Sequence, residues 1–366
     1  MVEWKKLVSI ADVLYGYPFE SSLFSEDSKY IPLIRIRDVK PGKASTYYSG
    51  EVIEDYLIKK GDILVGMDGE FNLGKWDDRD GLLNQRVLKL KGKDGCSING
   101  YLFHYMGPVF KRIEQTTAGG SVKHLSAKII KDIEIPLPSL SEQERIVGIL
   151  DTFTSSIENL KAQISLRRKQ YEHYRDKLLD LEGKPGVEMK DVASFVKERI
   201  TANELNIQNY TSVENLLKDK AGRKDAENVP TEGNWIKYKK GDVLIGNIRP
   251  YLRKIWLSDR EGGTNGDVIV VRPSDKLQSE YMFYCLASER FFLYYNQALK
   301  DGKMPRGEKS RVLSFIVPLP SLEEQSRIVS ILDEFEASIK NMEAQLEARE
   351  KQYEYYREKL LTFERE

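Results

Sequence analysis

The 366-residue sequence has few of the residues that build disulfide frameworks or metal sites. Its only cysteines are Cys96 and Cys285, and its only histidines are His104, His124 and His173. They are scattered along the chain, without the short spacings that zinc ligands share. Two cysteines in unrelated contexts do not form the paired pattern of a secreted disulfide scaffold, which favours a reducing cytoplasm. The sequence therefore predicts a cytoplasmic chain that holds no metal.

Long apolar runs and an excess of either charge are also absent. No stretch approaches the roughly 18 consecutive apolar residues of a membrane-spanning helix, and the N-terminus lacks the layout of a signal peptide. The 57 lysines and arginines are balanced by 57 aspartates and glutamates. Any binding of nucleic acid would therefore depend on local basic patches or on partners, and we expect no contact with a membrane.

What the sequence does contain is one stretch written twice. Residues 135–181 (IPLPSLSEQERIVGILD…) and 317–363 (VPLPSLEEQSRIVSILD…) align without a gap at an offset of 182, and 29 of 47 positions are identical. In each copy a serine followed three residues later by glutamate predicts a helix start with a capping box. Apolar residues then recur at alternating spacings of four and three, interrupted only by Arg167 and Arg349 at the same rank. This heptad seam predicts two long helices that need a partner helix.

The segments before each long helix also match in part. Residues 59–66 (KKGDILVG) and 239–246 (KKGDVLIG) share six of eight positions and predict a turn followed by a strand. Alternation predicts a strand at 29–39, and further strands are predicted at 84–90 and 265–271. Aromatic helices are predicted at 101–106 and 281–286, each followed by a glycine-containing loop at 119–128 or 302–311. The fold class is therefore α+β, with four segments: globular domains at 1–138 and 184–320, and long helices at 139–183 and 321–366.

The duplicated PLPSLxEQxRIVxILD motif, with a variable domain before each copy, resembles the specificity subunit of type I restriction-modification systems over the whole chain. The resemblance implies two target-recognition domains separated by two long antiparallel coiled-coil helices, as a pseudo-twofold internal repeat. It implies that the protein recognises a bipartite target on double-stranded DNA. Partners would be two modification subunits, which methylate adenine, and restriction subunits. S-adenosylmethionine, ATP and magnesium are expected on those partners, and no cofactor on this chain.

The lack of catalytic motifs in the sequence supports a non-enzymatic role. The Asn/Asp-Pro-Pro-aromatic tetrad of adenine methyltransferases requires a Pro-Pro pair, and the sequence contains none. The nearest match to a nucleotide-binding P-loop, residues 302–310, has one residue too many before its lysine. We therefore predict a recognition subunit that is not an enzyme. The alternative is a coiled-coil scaffold whose two globular domains bind proteins.

Basic and polar residues in loops after strands are the candidates for DNA contact, because lysine and arginine bind phosphates and polar side chains recognise base edges. The predicted DNA-binding residues are Asn72, Lys75, Lys123, His124 and Lys128 in the first half, and Asn247, Arg249, Arg253, Lys254, Lys303, Arg306 and Lys309 in the second. The lysines around residues 237–240 could equally protect a solvated strand edge. In the repeated motif, Gln143, Arg145, Gln325 and Arg327 are predicted to bind partners.

Overall fold

The computed structural model describes residues 2–116, 123–297 and 304–364. The chain forms two compact units, one of Met1–Lys161 with Gln345–Glu366 and the other of Ala162–Ala344. Each unit contains one globular part and a segment of each of the two long helices. Within the described residues, no helix is both long and apolar enough to span a lipid bilayer.

The globular part of the first unit contains a two-stranded sheet (β1-β11), a four-stranded sheet (β2-β10-β7-β8) and a five-stranded sheet (β3-β5-β4-β9-β6). Its strands are β1 (Glu3–Lys6), β2 (Ala11–Tyr15), β3 (Phe24–Ser25), β4 (Ile31–Ile34), β5 (Tyr47–Tyr48), β6 (Leu57–Ile58), β7 (Ile63–Gly66), β8 (Leu73–Lys75), β9 (Gly81–Leu83), β10 (Val87–Gly92) and β11 (Glu134–Leu137). Its helices are α1 (Leu7–Ile10), α2 (Ile36–Val39), α3 (Asn99–Thr116) and α4 (Ala127–Asp132). Leucines, isoleucines and valines of β7 and β10 pack against α3 in its main core.

The second unit repeats this plan with sheets β12-β21, β13-β20-β17-β18 and β14-β16-β19-β15. Its strands are β12 (Gly186–Glu188), β13 (Ala193–Phe195), β14 (Arg199–Thr201), β15 (Tyr210–Thr211), β16 (Asn234–Tyr238), β17 (Val243–Gly246), β18 (Ile255–Leu257), β19 (Gly262–Thr264), β20 (Val268–Pro273) and β21 (Ile316–Pro318). Its helices are α6 (Ser279–Leu286), α7 (Glu289–Asn296) and α8 (Lys309–Leu313). The long helices are α5 (Leu140–Leu178) and α9 (Leu322–Leu361). Both lie inside the predicted segments 139–183 and 321–366.

The repeated lysine-glycine turn has the same structure in both units. Gly61 and Gly241 have φ values of 91° and 89°, a backbone conformation that glycine adopts without a steric penalty. Next to them, the carboxylates of Asp62 and Asp242 each accept a 2.8 Å hydrogen bond from the backbone N–H three residues earlier. These bonds close the turns that lead into β7 and β17.

The predicted strand at residues 29–39 is wrong beyond Ile34, where the chain turns into the short helix α2. Asp38 causes this change: its carboxylate accepts a hydrogen bond from the backbone N–H of Arg35 at 3.0 Å and one from the N–H of Ser45 at 3.1 Å. A side chain that captures nearby backbone donors competes with strand pairing.

Only half of each predicted capping box forms. The carboxylates of Glu142 and Glu324, which would complete the boxes, bind the guanidinium groups of Arg145 and Arg327 instead.

In each unit the two long-helix segments run antiparallel, as the resemblance implied. In the first unit, Phe153 stacks on Tyr356 with ring centroids 5.2 Å apart. Ile146 belongs to the same apolar cluster as Phe363, so the start of α5 lies beside the end of α9, as antiparallel packing requires. In the second unit, Tyr174 stacks on Phe335 at 5.6 Å.

The arginines that interrupt the heptad seam lie over phenylalanine rings. The guanidinium carbon of Arg349 is 5.8 Å from the ring centroid of Phe153 in the first unit. That of Arg167 is 5.5 Å from the ring of Phe335 in the second. A cation over an aromatic face is favourable at such distances. The interruption is therefore a repeated cation–π contact between the helices.

Candidate nucleic-acid interface

Three loops of the first unit are joined through their backbones at one end of the central strands of the four-stranded sheet. They are residues 67–72 after β7, residues 84–86 before β10, and residues 123–126 before α4. The N–H of Met67 donates to the carbonyl of Arg86 at 2.9 Å, and the N–H of Leu125 donates to the carbonyl of Met67 at 2.7 Å. The N–H of Gly69 donates to the carbonyl of Lys123 at 2.9 Å. We call this arrangement the three-loop network.

The second unit contains the same network in residues 247–254, 265–267 and 305–307. Asn247 N–H donates to the carbonyl of Asp267 at 2.8 Å, and Gly307 N–H donates to the carbonyl of Asn247 at 3.1 Å. Arg249 N–H donates to the carbonyl of Pro305 at 2.8 Å. The three bonds match those of the first unit one by one, so equivalent positions can be assigned. Loops that follow a rigid sheet and present variable side chains are common binding surfaces.

The exposed charges at equivalent positions of the network differ between the units. In the first unit, Asp68 of the first loop forms an ion pair with Nη1 of Arg86 at 3.2 Å and contacts Nδ1 of His124 at 2.5 Å. In the second unit, Ile248 occupies the position equivalent to Asp68. The aspartate of this network is instead Asp267 of the middle loop, which occupies the position equivalent to Arg86. Its carboxylate forms an ion pair with Nη2 of Arg306 at 2.9 Å.

Each network borders an open cavity. The first has a volume of about 530 Å³, and its polar lining consists of Ser21, Arg35, Arg37, Asn72, Asn84, Gln85 and Arg86. The second has about 440 Å³ and is lined by Glu214 and Asp267 together with Tyr210, Asn228 and Asn265. The first cavity is therefore lined by three arginines, and the charged residues lining the second are two carboxylates. Among the described residues, no three His, Cys, Asp or Glu side chains are grouped as metal ligands.

The predicted residues of the first half separate into two groups. Asn72 lines the cavity and His124 belongs to the network, and Lys128 is exposed in α4. The other two lie against helices: Lys123 Nζ donates to the carbonyl of Glu114 at 2.5 Å, and Lys75 Nζ is 3.8 Å from a carboxylate oxygen of Asp151 on α5. Both are thus engaged within their own unit, and DNA binding by these residues stays a prediction.

In the second half, Arg249 and Arg306 are exposed beside the network. Arg249 and Arg253 flank the tight turn at 250–252 with positive φ of 51° each, a conformation rare outside glycine. Arg253 forms an ion pair with Glu289 of α7 at 2.7 Å. Lys309 donates to the carbonyl of Gly266 at 2.9 Å and so supports the middle loop. Lys303 lies outside the described residues.

Two predicted DNA-binding residues of this half face the protein interior. Asn247 is 4% exposed, and its side-chain oxygen accepts a 2.6 Å hydrogen bond from the hydroxyl of Tyr295. Lys254 Nζ donates to the carbonyl of Val213 at 2.5 Å, and partial burial lowers the pKa of its ammonium. Both side chains fasten the first loop to neighbouring parts of the unit, so a direct contact with a base edge would require them to leave these partners.

The partner-binding prediction does not agree with the structure for the two glutamines. Gln143 and Gln325 are completely buried. The amide of Gln143 accepts from Ile98 N–H at 3.0 Å and donates to the carbonyls of Cys96 and Pro138, and Gln325 makes the equivalent bonds. These residues fasten each long helix to its globular part. Within the part of the chain that the structure describes, Arg145 and Arg327 are exposed and pair only with the glutamate three residues before them.

Three residues of the site, Arg35, Asp68 and Arg86, are not among those predicted from the sequence. Arg35 has its guanidinium 5.8 Å from the ring centroid of Phe24 and lines the first cavity. The sequence places Arg35 in the predicted strand at 29–39, whereas in the structure the turn into α2 brings it to the first cavity. Arg86 lies in a predicted strand segment, and only the backbone bond from Met67 identifies it as a network residue.

Known proteins resemble this chain over nearly its whole length. The family model for the type I restriction modification DNA specificity domain matches residues 1–167 and 187–349. The specificity subunit of the type I restriction enzyme EcoBI from Escherichia coli is 27% identical over 92% of this chain and 80% of its own length. The EcoR124I/EcoR124II specificity subunit from the same organism is 26% identical, over 99% and 94%. In structure, the type I restriction-modification S subunit from M. genitalium covers 100% of this chain and 97% of its own, with a TM-score of 0.62 and 16% identity.

Proposed function

Because the chain belongs to the family of type I restriction modification DNA specificity domains, we propose that it is a recognition subunit that binds a bipartite DNA target, one half-site for each unit. The observation that carries this proposal is the three-loop network, which has the same backbone bonds in both units but different exposed side chains. Two equivalent frames with different chemistry suit the recognition of two different half-sites. Base edges in the major groove are distinguished by such differences in donors and acceptors.

The recognised DNA would be modified by partners. We propose that two modification subunits bind this chain and methylate adenine using S-adenosylmethionine, and that restriction subunits use ATP and magnesium. The chain itself would contribute no catalytic group. The exposed pairs Glu142–Arg145 and Glu324–Arg327 repeat at the start of both long helices, which makes them candidate contacts for two identical partners. The complex would act in the cytoplasm.

The scaffold alternative has less support. It explains a heptad seam, but the family match extends over both globular parts and not only the helices.

Long-read mapping of N6-methyladenine in the source cell tests the proposal. Deletion of the gene should abolish methylation at one bipartite motif, and the wild-type gene returned in trans should restore it. A methylome that is the same with and without the gene would contradict the proposed function, provided that the modification subunits are expressed.

A further inference from the structure

Each unit holds one arginine of the three-loop network against an aspartate, but the two arginines come from different loops. Arg86 of the middle loop is paired with Asp68 of the first loop. Arg306 of the third loop is paired with Asp267 of the middle loop. The network thus keeps an Asp–Arg pair, but the loops that supply its two members differ between the units.

These ion pairs keep each guanidinium beside its aspartate but contribute little to the stability of the fold. The side chain of Arg86 is 55% exposed and that of Arg306 is 64% exposed, and ion pairs so open to water contribute little to stability. The aspartates are more enclosed, at 21% and 32%. Each carboxylate therefore lies behind its arginine and leaves the guanidinium accessible from outside.

An arginine held near an acidic partner is well suited to bind guanine. The guanidinium has five donors in a rigid plane, so a carboxylate can hold some of them while others remain available. Two parallel donors match O6 and N7 of guanine in the major groove. Prior orientation reduces the side-chain entropy that is lost on binding. In the first unit His124 contacts the other oxygen of Asp68 at 2.5 Å, which fixes the carboxylate as well.

We infer that Arg86 and Arg306 are the specificity-determining residues for one guanine in each half-site, with Asp68 and Asp267 as their positioning residues. The inference rests on the proposed function, since it names the base that each unit selects. The first unit recognises its guanine from the middle loop and the second unit from the third loop.

The test replaces the chromosomal gene by single variants and maps N6-methyladenine in each strain. In Arg86→Ala, one position of one half-site should lose its requirement for guanine, with discrimination reduced about 5- to 150-fold, the equivalent of one bidentate contact. The other half-site should be unchanged. Arg306→Ala should give the same result in the opposite half-site. Arg260→Ala is the matched control, because Arg260 is also an exposed arginine paired with an aspartate, Asp259, but lies outside the network.

Binding by the purified native complex separates orientation from charge. The probe is a DNA duplex that contains the motif identified by methylation mapping. It carries either guanine or 7-deazaguanine, which lacks N7, at the position assigned to Arg86. The wild-type complex should prefer guanine, whereas Arg86→Lys and Asp68→Asn should show a smaller preference, since neither retains an arginine oriented by a carboxylate. Arg86→Lys retains the positive charge and so keeps general DNA binding if it folds, which covers the case in which Arg86→Ala does not assemble.

An unchanged motif in both alanine variants would overturn the inference while leaving the proposed function intact. So would an equal loss of affinity for all sequences, which is the behaviour of a phosphate contact. A wild-type methylome with no motif that depends on this gene would instead contradict the proposed function itself.

Discussion

At the centre of the three-loop network, Met67 in the first unit corresponds to Asn247 in the second. Both are buried, at 6% and 4% exposure, and both make the same two backbone hydrogen bonds. Met67 packs in an apolar core, whereas the amide of Asn247 is paired with the hydroxyl of Tyr295 at 2.6 Å. The comparison shows that the backbone network is compatible with either interior, provided that a buried polar group has its partner.

A second difference lies where each globular part meets the long helices. In the first unit the buried ring of His104 lies between Asp151 of α5, at 2.8 Å, and the hydroxyl of Tyr353 of α9, at 3.1 Å. In the second unit Tyr284 donates to Asp333 of α9 at 2.5 Å. One junction therefore contains an imidazole, which can take up a proton on acidification, and the other contains a phenol.

The largest effect is expected where the two units agree most, at the buried glutamines. Gln143→Leu removes three hydrogen bonds and should lower the free energy of unfolding by about 2–5 kcal/mol, since each buried group left unpaired costs ~1–3 kcal/mol. Gln325→Leu should cost the same. Urea titration measures the loss, and hydrogen-exchange mass spectrometry should assign it to α3 or α6. A loss below about 1 kcal/mol in either variant would mean that water replaces the amide.

The junctions should respond differently to acid. Burial lowers the pKa of His104, although the hydrogen bond to Asp151 opposes this. The unfolded chain then binds the proton first as the pH falls below about 6.5, so the first unit loses stability on acidification. His104→Tyr should remove this loss, and Tyr284→His should introduce it in the second unit. Urea midpoints at about pH 5 and about pH 7.5, on either side of the histidine range, test both. Equal pH dependence in wild type and His104→Tyr would exclude the histidine as the cause.

The cation–π contacts should contribute equally to the two units. Arg349→Gln and Arg167→Gln are each expected to cost about 0.5–1 kcal/mol, the usual value for such a contact at an exposed site. Thermal unfolding of the two variants and of the double variant should give additive losses, because the contacts belong to different units. Unequal losses of stability in the two single variants would show that one phenylalanine ring packs better than the other once its arginine is removed.

The smallest effect on stability is expected for Arg145→Ala and Arg327→Ala. Each removes an exposed ion pair, which is worth about 0–1 kcal/mol. If these arginines bind partners, recovery of modification subunits with an affinity-tagged chain should nevertheless fall in each variant and fall further in the double variant. Unchanged recovery would remove them from the partner surface, and Arg260→Ala serves as the surface control.

The regular parts of the fold could be predicted because they depend on periodic patterns. The heptad seam identified both long helices, and the Lys-Lys-Gly-Asp repeat identified the turns before β7 and β17. The side chains of the candidate site could not be assigned in the same way. Gln143 was expected on a surface, because no pattern in a sequence shows that three backbone groups surround it. Arg86 and Asp68 are 18 positions apart, and only the folded loops bring them together.

The main-chain character of the three-loop network has an evolutionary consequence. The three hydrogen bonds that join the loops in each unit use backbone atoms only, so a mutation that changes an exposed tip residue leaves them in place. New target preferences can therefore arise by single mutations at a small cost in stability, without compensating changes in the core. Positions such as Gln85 and Gly266, at the tips of the middle loops, are where we expect such variants to appear first under selection for a new target.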